Sequence, residues 1–471
     1  MVTGVRQMVE GLGRPWRAEA GRARAAQSPR ARTAKARAEQ PSRILFINQY
    51  YWPDHASTAQ HLSDLAESLA AEGHECHVLC GQGAYRPGAE PLAATEIRNG
   101  VHIHRVPTTS LGRRSTLTRM IDYLSFYARA VVKAFRLPRF DVVVTLTTPP
   151  IIGLIGTLLR RVRRSQHVYW SMDLHPDASL ALGRMSIANP VVAALAWLSD
   201  SVYRQADRVV ALGPYMADRV LAKGVRKERL VHVPVWSRSD EIYPIHRTGH
   251  PLRASLGIGD EFIAMYSGNL GLAHAFEEFL EAARRLRERK DIVFLYVGHG
   301  PRLAEVVNAQ RSEGLENIRF LDYFPRDQLH ASLSLADVHL ISLRREMTGI
   351  VVPGKLYGAM ASGRPALLVG PEHCEPADTI RRTKCGMTVR QGDVAGLVDA
   401  LLRLAGDRDL VEEMGARGRT AFLLQHERVR CCARWSRLIA ELVRPTDVAP
   451  TPHAANRPRT AQRALQTVNP R

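Results

Sequence analysis

"SRILFINQYYWPDHASTAQHLSDLAESLAAEGHECHVLC", residues 42–80, is the stretch on which the reading of the fold turns. It opens with a β-rich apolar run that ends in a turn. The segment after the turn has helical spacing, and a second strand follows. Gly73 closes the helix as its left-handed cap. A strand, a helix and a strand in this order predict a parallel pair, because parallel strands need a crossover connection.

The same alternation continues outward through "VHIHRV", an amphipathic segment over 116–136, "FDVVVTL", "IIGLIGTLLRRV", "HVYWSMD", a helix over 190–205, "DRVVALG" and "LVHVPVW". It breaks at "SRSDEIYPIHRTGHPLRASLGIGDE", a polar stretch with Pro244 and Pro251 that reads as a connection between domains. A second series runs from "FIAMYSGNL" through "IVFLYVGHGPRL", "IRFLDYFP", "DVHLISLRRE", "PALLVG" and "GMTV". The expected fold is α/β, with two Rossmann-like, doubly wound domains facing across a cleft, where strand carboxyl ends meet a ligand. The first domain is set at 43–236, the linker at 237–260, the second domain at 261–425 and a C-terminal helix at 426–443.

The chain has 471 residues, 45% of them hydrophobic and 24% charged, as in a globular protein with room for two or three cores. The formal charge of +19 is concentrated at the ends: residues 1–43 hold ten Lys/Arg against three acids, and 444–471 hold five against one. Both ends, 1–42 and 444–471, read as disordered basic extensions because they are poor in large apolar residues. The six cysteines show no C-x-x-C pair and no zinc-finger histidines, which points to structural thiols in a reducing cytoplasm. The longest uncharged run, 142–159, is cut by Pro149 and Pro150 and reads as strand, turn and helix rather than a membrane span.

In the second half three glycine-bearing loops each follow a strand: Ser267-Gly268-Asn269, Gly298-His299-Gly300, and "MTGIVVPGKLYGAMASGRP" over 347–365. Glycine lets backbone amides approach a phosphate closely, and three such loops on one sheet edge point to a nucleotide diphosphate.

With "QYYWPDHASTAQHLSDLAESLAAEGHE", "YWSMDLHPDASLALG", "DRVVALGPYM", "MYSGNLG", "YVGHGP", "VVPGKLYGAMASGRP" and "GPEHCEPADTI" in hand, the chain resembles the family 4 glycosyltransferases of the GT-B fold, in the bacterial branch that builds cell-surface polysaccharide. The resemblance runs from about 43 to 440. It implies transfer of a sugar from a nucleoside-diphosphate donor with retention of configuration and without a catalytic metal or other cofactor. The expected partners are the nucleotide sugar, a glycan or polyprenyl-diphosphate-linked acceptor, and an anionic membrane surface, with no specific nucleic acid. The expected location is the cytoplasm, peripheral on the inner face of the membrane.

Breaking the anomeric bond leaves a diphosphate with added negative charge, so Lys355 and the amides of Gly354 to Leu356 are expected to face it. Gly268, Asn269, Gly298, Gly300, Glu346, Thr348, Gly349 and Pro353 complete the expected donor side, with Tyr323 and Phe324 near the nucleobase. Relatives carry two glutamates eight positions apart where this chain has Ile350 and Gly358, and basic residues where it has Leu272 and either His274 or Ala275. Arg344 or Arg345 is expected to help with the charge. Across the cleft, Met172 stands where many relatives have histidine, so Asp173 is the expected group for the acceptor proton or the developing cation, with His175 the alternative. Ala56, Ser57 and Thr58 are expected on the acceptor side.

Residues 113–136 set apolar groups on one face with arginines around it, a face suited to the domain core or to an anionic bilayer. Two other readings stay open from sequence: a nucleotide-sugar 2-epimerase on the same fold, and a non-catalytic membrane or nucleic-acid binding module.

Overall fold

The computed structural model describes residues 41–54, 56–82, 92–109 and 116–443. The two basic extensions, save for residues 41 and 42, and the start of the 113–136 segment lie outside these residues.

The first sheet is built from β1 (Arg43–Ile47), β2 (Glu75–Gly81), β3 (Thr95–Arg98), β4 (Val101–Val106), β5 (Val142–Thr145), β6 (Gln166–Trp170), β7 (Arg208–Ala211) and β8 (Leu230–His232). Its order is β3-β4-β2-β1-β5-β6-β7-β8, and the strand order reverses between β1 and β5. β1 is buried on both faces from Ile44 to Ile47, as a strand in the middle of a covered parallel sheet must be. One strand departs from the expected parallel pattern. β3 pairs antiparallel with β4 through a tight turn in which Asn99 and Gly100 both have positive φ, 48° and 78°. That is the two-residue hairpin that Asn-Gly favours.

The second sheet is built from β9 (Phe262–Ser267), β10 (Ile292–Val297), β11 (Ile318–Leu321), β12 (Val338–Ser342), β13 (Ala366–Gly370) and β14 (Gly386–Arg390). It is parallel throughout, in the order β11-β10-β9-β12-β13-β14, with the reversal between β9 and β12. Both sheets therefore have a doubly wound switch point, where the loops leave in opposite directions and open a crevice.

Helices Thr116–Arg136, Gly153–Arg163 and Pro190–Gln205 cover one face of the first sheet. They pack there through Phe126 and Ala130, through Ile155 and Leu159, and through Tyr203, whose ring lies 4.8 Å from that of Tyr169. Helix Ser57–Ala71 covers the other face with Leu62, Leu65 and Leu69. The last helix, Arg428–Val443, returns from the second half to this same face. Its Trp435 ring lies 4.7 Å from Trp170, which also stacks on Trp236 at 5.6 Å. One apolar cluster thus runs from Ile44 and Trp170 through Trp435 to Leu356, Tyr357 and Leu368 of the second half. Among the described residues no helix is long and apolar enough to cross a membrane.

Candidate active site

The site forms where the loops after β9 and β12 part. The Gly268 backbone has φ 115°, a conformation that favours glycine, and a methyl there would stand 3.2 Å from Lys355 Cε. Lys355, the first residue of helix Lys355–Ala361, reaches back over this glycine. Its Nζ donates to the Asn269 carbonyl at 3.2 Å, lies 3.4 Å from His274 Nε2 and sits 4.8 Å above the Tyr266 ring. It has no ion pair among the described residues, and burial pushes its amine down to about 8. A partly buried ammonium without a counter-charge among the described residues is suited to meet an anion.

The loops after β9 and β10 interlock beside it. Leu270 N donates to the His299 carbonyl at 2.8 Å, and Gly298 N to the Leu321 carbonyl at 2.9 Å. A methyl on Gly298 would stand 2.7 Å from Gly268 O, and one on Gly300 2.5 Å from Leu270 N. These two glycines, expected at the donor, are required by loop-on-loop packing. Tyr323 lies at the rim, 42% exposed, with its ring 5.5 Å from His299, whereas Phe324 packs into the small cluster of Ile263, Met265 and Val297.

The 344–356 segment holds the remaining residues expected on the donor side. Glu346 is exposed on the turn Arg345–Met347. Thr348 Oγ1 donates to the Arg345 carbonyl at 2.9 Å, and the Thr348 carbonyl accepts from Arg219 Nε of the first domain at 2.6 Å. Gly349 lies against Tyr215 of the first domain. The Leu356 amide donates to the Pro353 carbonyl at 3.4 Å and its side chain is core, whereas Gly354 is exposed and Lys355 half-buried. Arg344 turns inward to the His274 carbonyl at 3.1 Å and to Glu277 at 3.1 Å, while Arg345 is exposed.

From the first domain, the loop after β6 meets this segment directly: Leu174 N donates to the Ile350 carbonyl at 3.1 Å. The Ile350 side chain itself is buried in the apolar cluster. Gly358 is buried within its helix, so no acid replaces the relatives' second glutamate there. Asp173 and His175 flank Leu174, and the loop is pinned by Ser199 Oγ donating to the His175 carbonyl at 2.7 Å. Burial holds the Asp173 carboxyl above the ordinary aspartate range, with His175 pulling the other way. A carboxylate tuned upward at a cleft suits proton transfer. Ala56 begins helix Ser57–Ala71 without a side-chain cap, Ser57 is exposed and Thr58 is buried 3.5 Å from Asn48 Nδ2.

Two groups at the site escape a sequence reading. Glu375 is a buried carboxyl at the domain boundary against Gly213, pushed up to about 7 by desolvation. Arg302 is buried and bonds the His274 carbonyl at 2.6 Å. Neither residue lies in a pattern that separates it from a helix-end charge.

Two doubly wound α/β domains, each with a switch point in its sheet, have the architecture of the GT-B fold. Residues 57–236 match the glycosyl transferase 4-like domain and residues 261–407 match glycosyl transferases group 1. The chain belongs to the family 4 glycosyltransferases of the GT-B fold, and it is an enzyme of that class. It is 28% identical over 359 residues, 71% of this chain and 84% of the other, to WcaI of Escherichia coli (strain K12), provisionally named a colanic acid biosynthesis glycosyl transferase. Among solved structures it resembles sucrose-phosphate synthase from Thermosynechococcus elongatus, with TM-score 0.68 and 17% identity, covering 85% of this chain and 99% of that one. It also resembles Anabaena HepE in complex with UDP and glucose, with TM-score 0.63 and 15% identity, covering 85% and 100%.

Proposed function

We propose that this glycosyltransferase moves a sugar, with retention of configuration, from a nucleoside-diphosphate donor to a glycan or polyprenyl-diphosphate-linked acceptor in surface polysaccharide biosynthesis. The observation that carries the reading is the Lys355 ammonium, held over Gly268 at the switch point and, among the described residues, without an ion pair. As the anomeric bond breaks, charge grows on the leaving diphosphate, and a preorganised cation in a water-poor site stabilises it. The charge is assigned to Lys355 rather than to a metal ion. Asp173 accepts the proton of the attacking hydroxyl. The name of WcaI and the UDP and glucose in HepE support polysaccharide synthesis and a nucleotide-sugar donor.

The reading also puts the enzyme on the inner face of the cytoplasmic membrane. Helices Thr116–Arg136, Gly153–Arg163 and Pro190–Gln205 share one face of the first domain and carry eight basic residues against Asp122 and Asp200. Leu124, Val162, Val191 and Trp197 are exposed on them, a combination suited to an anionic bilayer.

The test is Lys355→Met, assayed for nucleoside diphosphate release and glycosylated product with a panel of nucleotide sugars. Turnover is expected to fall about 100-fold or more, with product formation in chelator unchanged for the wild type. Wild-type turnover in the variant removes the basis of the reading.

A further inference from the structure

Among the described residues His274 is the one imidazole bonded to the cation, and it is 8% exposed. Its Nδ1 lies 2.6 Å from the Ser342 carbonyl, at the end of β12. A carbonyl only accepts, so Nδ1 carries the proton and Nε2 is left as a lone-pair acceptor. Nε2 is the atom that faces Lys355 Nζ at 3.4 Å. The rest of the residue is fixed as firmly. Its carbonyl accepts from Arg302 Nη1 at 2.6 Å and from Arg344 Nε at 3.1 Å, and both guanidinium groups also bond Glu277 Oε1, at 2.8 and 3.1 Å. The next amide, Ala275 N, donates to Ser342 Oγ at 3.1 Å.

We infer that His274 is the positioning residue for Lys355: its neutral ring, locked by the Ser342 carbonyl, offers Nε2 as the acceptor that steers the ammonium over Gly268 into the cleft. This rests on the reading of Lys355 as the cation for the donor diphosphate. An ammonium has three N–H donors. The Asn269 carbonyl takes one and His274 Nε2 another, which leaves the third for the ligand. Without the imidazole, a side chain with four rotatable bonds has to be ordered at the moment of reaction. A charged imidazole would repel the amine. Burial, with Lys355 and Arg302 close by, pushes His274 down to about 3 and keeps it neutral, and Glu277 is the acid that faces the two arginines.

The test separates the two ring nitrogens. Asparagine places a donor near Nδ1 but nothing near Nε2, whereas glutamine places an acceptor near Nε2 and no group near Nδ1. His274→Asn is expected to lower kcat about tenfold or more, with donor KM changed far less and a wild-type circular dichroism spectrum. His274→Gln is expected to stay within about threefold of the wild type. In a Lys355→Met background His274→Asn is expected to cost nothing further, because the two residues act as one unit. An Asn variant more active than the Gln variant, or losses that multiply in the double variant, overturns the inference. Wild-type turnover in Lys355→Met overturns the functional reading instead, and an inactive Lys355→Met beside silent His274 variants overturns this inference alone.

Discussion

Gly349→Ala is the substitution that tests how the two halves meet. Gly349 has φ +72°, and a methyl there would stand 2.8 Å from the Tyr215 carbonyl carbon and 3.2 Å from Arg219 Cδ, with the Tyr215 oxygen closer still. Arg219 can swing aside, but Tyr215 O belongs to the backbone of helix Pro214–Ala222 and cannot. The left-handed conformation costs an alanine about 1–2 kcal/mol, and the clash costs about 1–3 kcal/mol more. Together they amount to about 2–5 kcal/mol, relieved only if the 347–353 loop leaves the first domain and gives up the bonds Leu174 N to Ile350 O and Arg219 Nε to Thr348 O. Since about 1.4 kcal/mol is tenfold in an equilibrium, the docking constant falls by about 30-fold or more. Steady-state turnover at saturating donor should drop, by up to that factor, while donor affinity, which depends on the Lys355 side of the loop, changes less. Paired urea unfolding and kcat measurements decide it. An alanine variant with wild-type kcat and an unchanged urea midpoint would show that the loop contact carries no weight.

Trp435→Ala removes a fully buried ring from the centre of the shared cluster and should lower stability by about 3–5 kcal/mol; denaturant unfolding measures it, and a loss under about 1 kcal/mol contradicts the packing. His104, whose Nε2 shares a 2.9 Å hydrogen bond with His77 Nδ1, is held down to about 4 by burial and by His77, Lys133 and His102. The unfolded chain protonates this ring near 6.5, so the unfolded state binds more protons between about 4 and 6.5, and this group's contribution to stability is lost as pH falls through that window. Glu375, pushed up to about 7, acts in the opposite sense. The prediction is therefore differential: between about pH 7 and pH 5, His104→Gln should lose less stability than the wild type, and equal slopes refute it. Leu124→Ser with Trp197→Ser, both on exposed positions, should weaken binding to vesicles containing anionic phospholipid about tenfold or more; sedimentation reports it, and unchanged binding removes this face from the membrane reading.

The alternation of strands and helices was legible because parallel strands force crossovers, whereas the place where each sheet's order reverses is set by the strand pairing. The hairpin at β3 was equally written, in Asn99-Gly100, but "TEIR" is too short and too polar to stand out as a strand. At the site, Lys355 stood out because a cation at a helix start is unfavourable unless an anion comes near. Gly298 and Gly300 were harder, since a glycine that admits a phosphate and one that admits a neighbouring loop look the same in sequence. The partnership of His274 with Lys355, 81 positions apart, depends on a side-chain tautomer set by a carbonyl from a third segment. The Leu174 to Ile350 tie is backbone to backbone, and side-chain identity says nothing about it.

The return of helix Arg428–Val443 to the first sheet bears on how the protein is made. During synthesis the first domain emerges early, yet the face that receives Trp435 stays open until nearly 200 further residues have been translated. An apolar surface around Trp170 and Trp236 is exposed to chaperones, or to other nascent chains, for that whole interval. A stop anywhere in the second half would therefore release a first domain that cannot close its own core, and quality control would meet the product of such a truncation through its amino-terminal half.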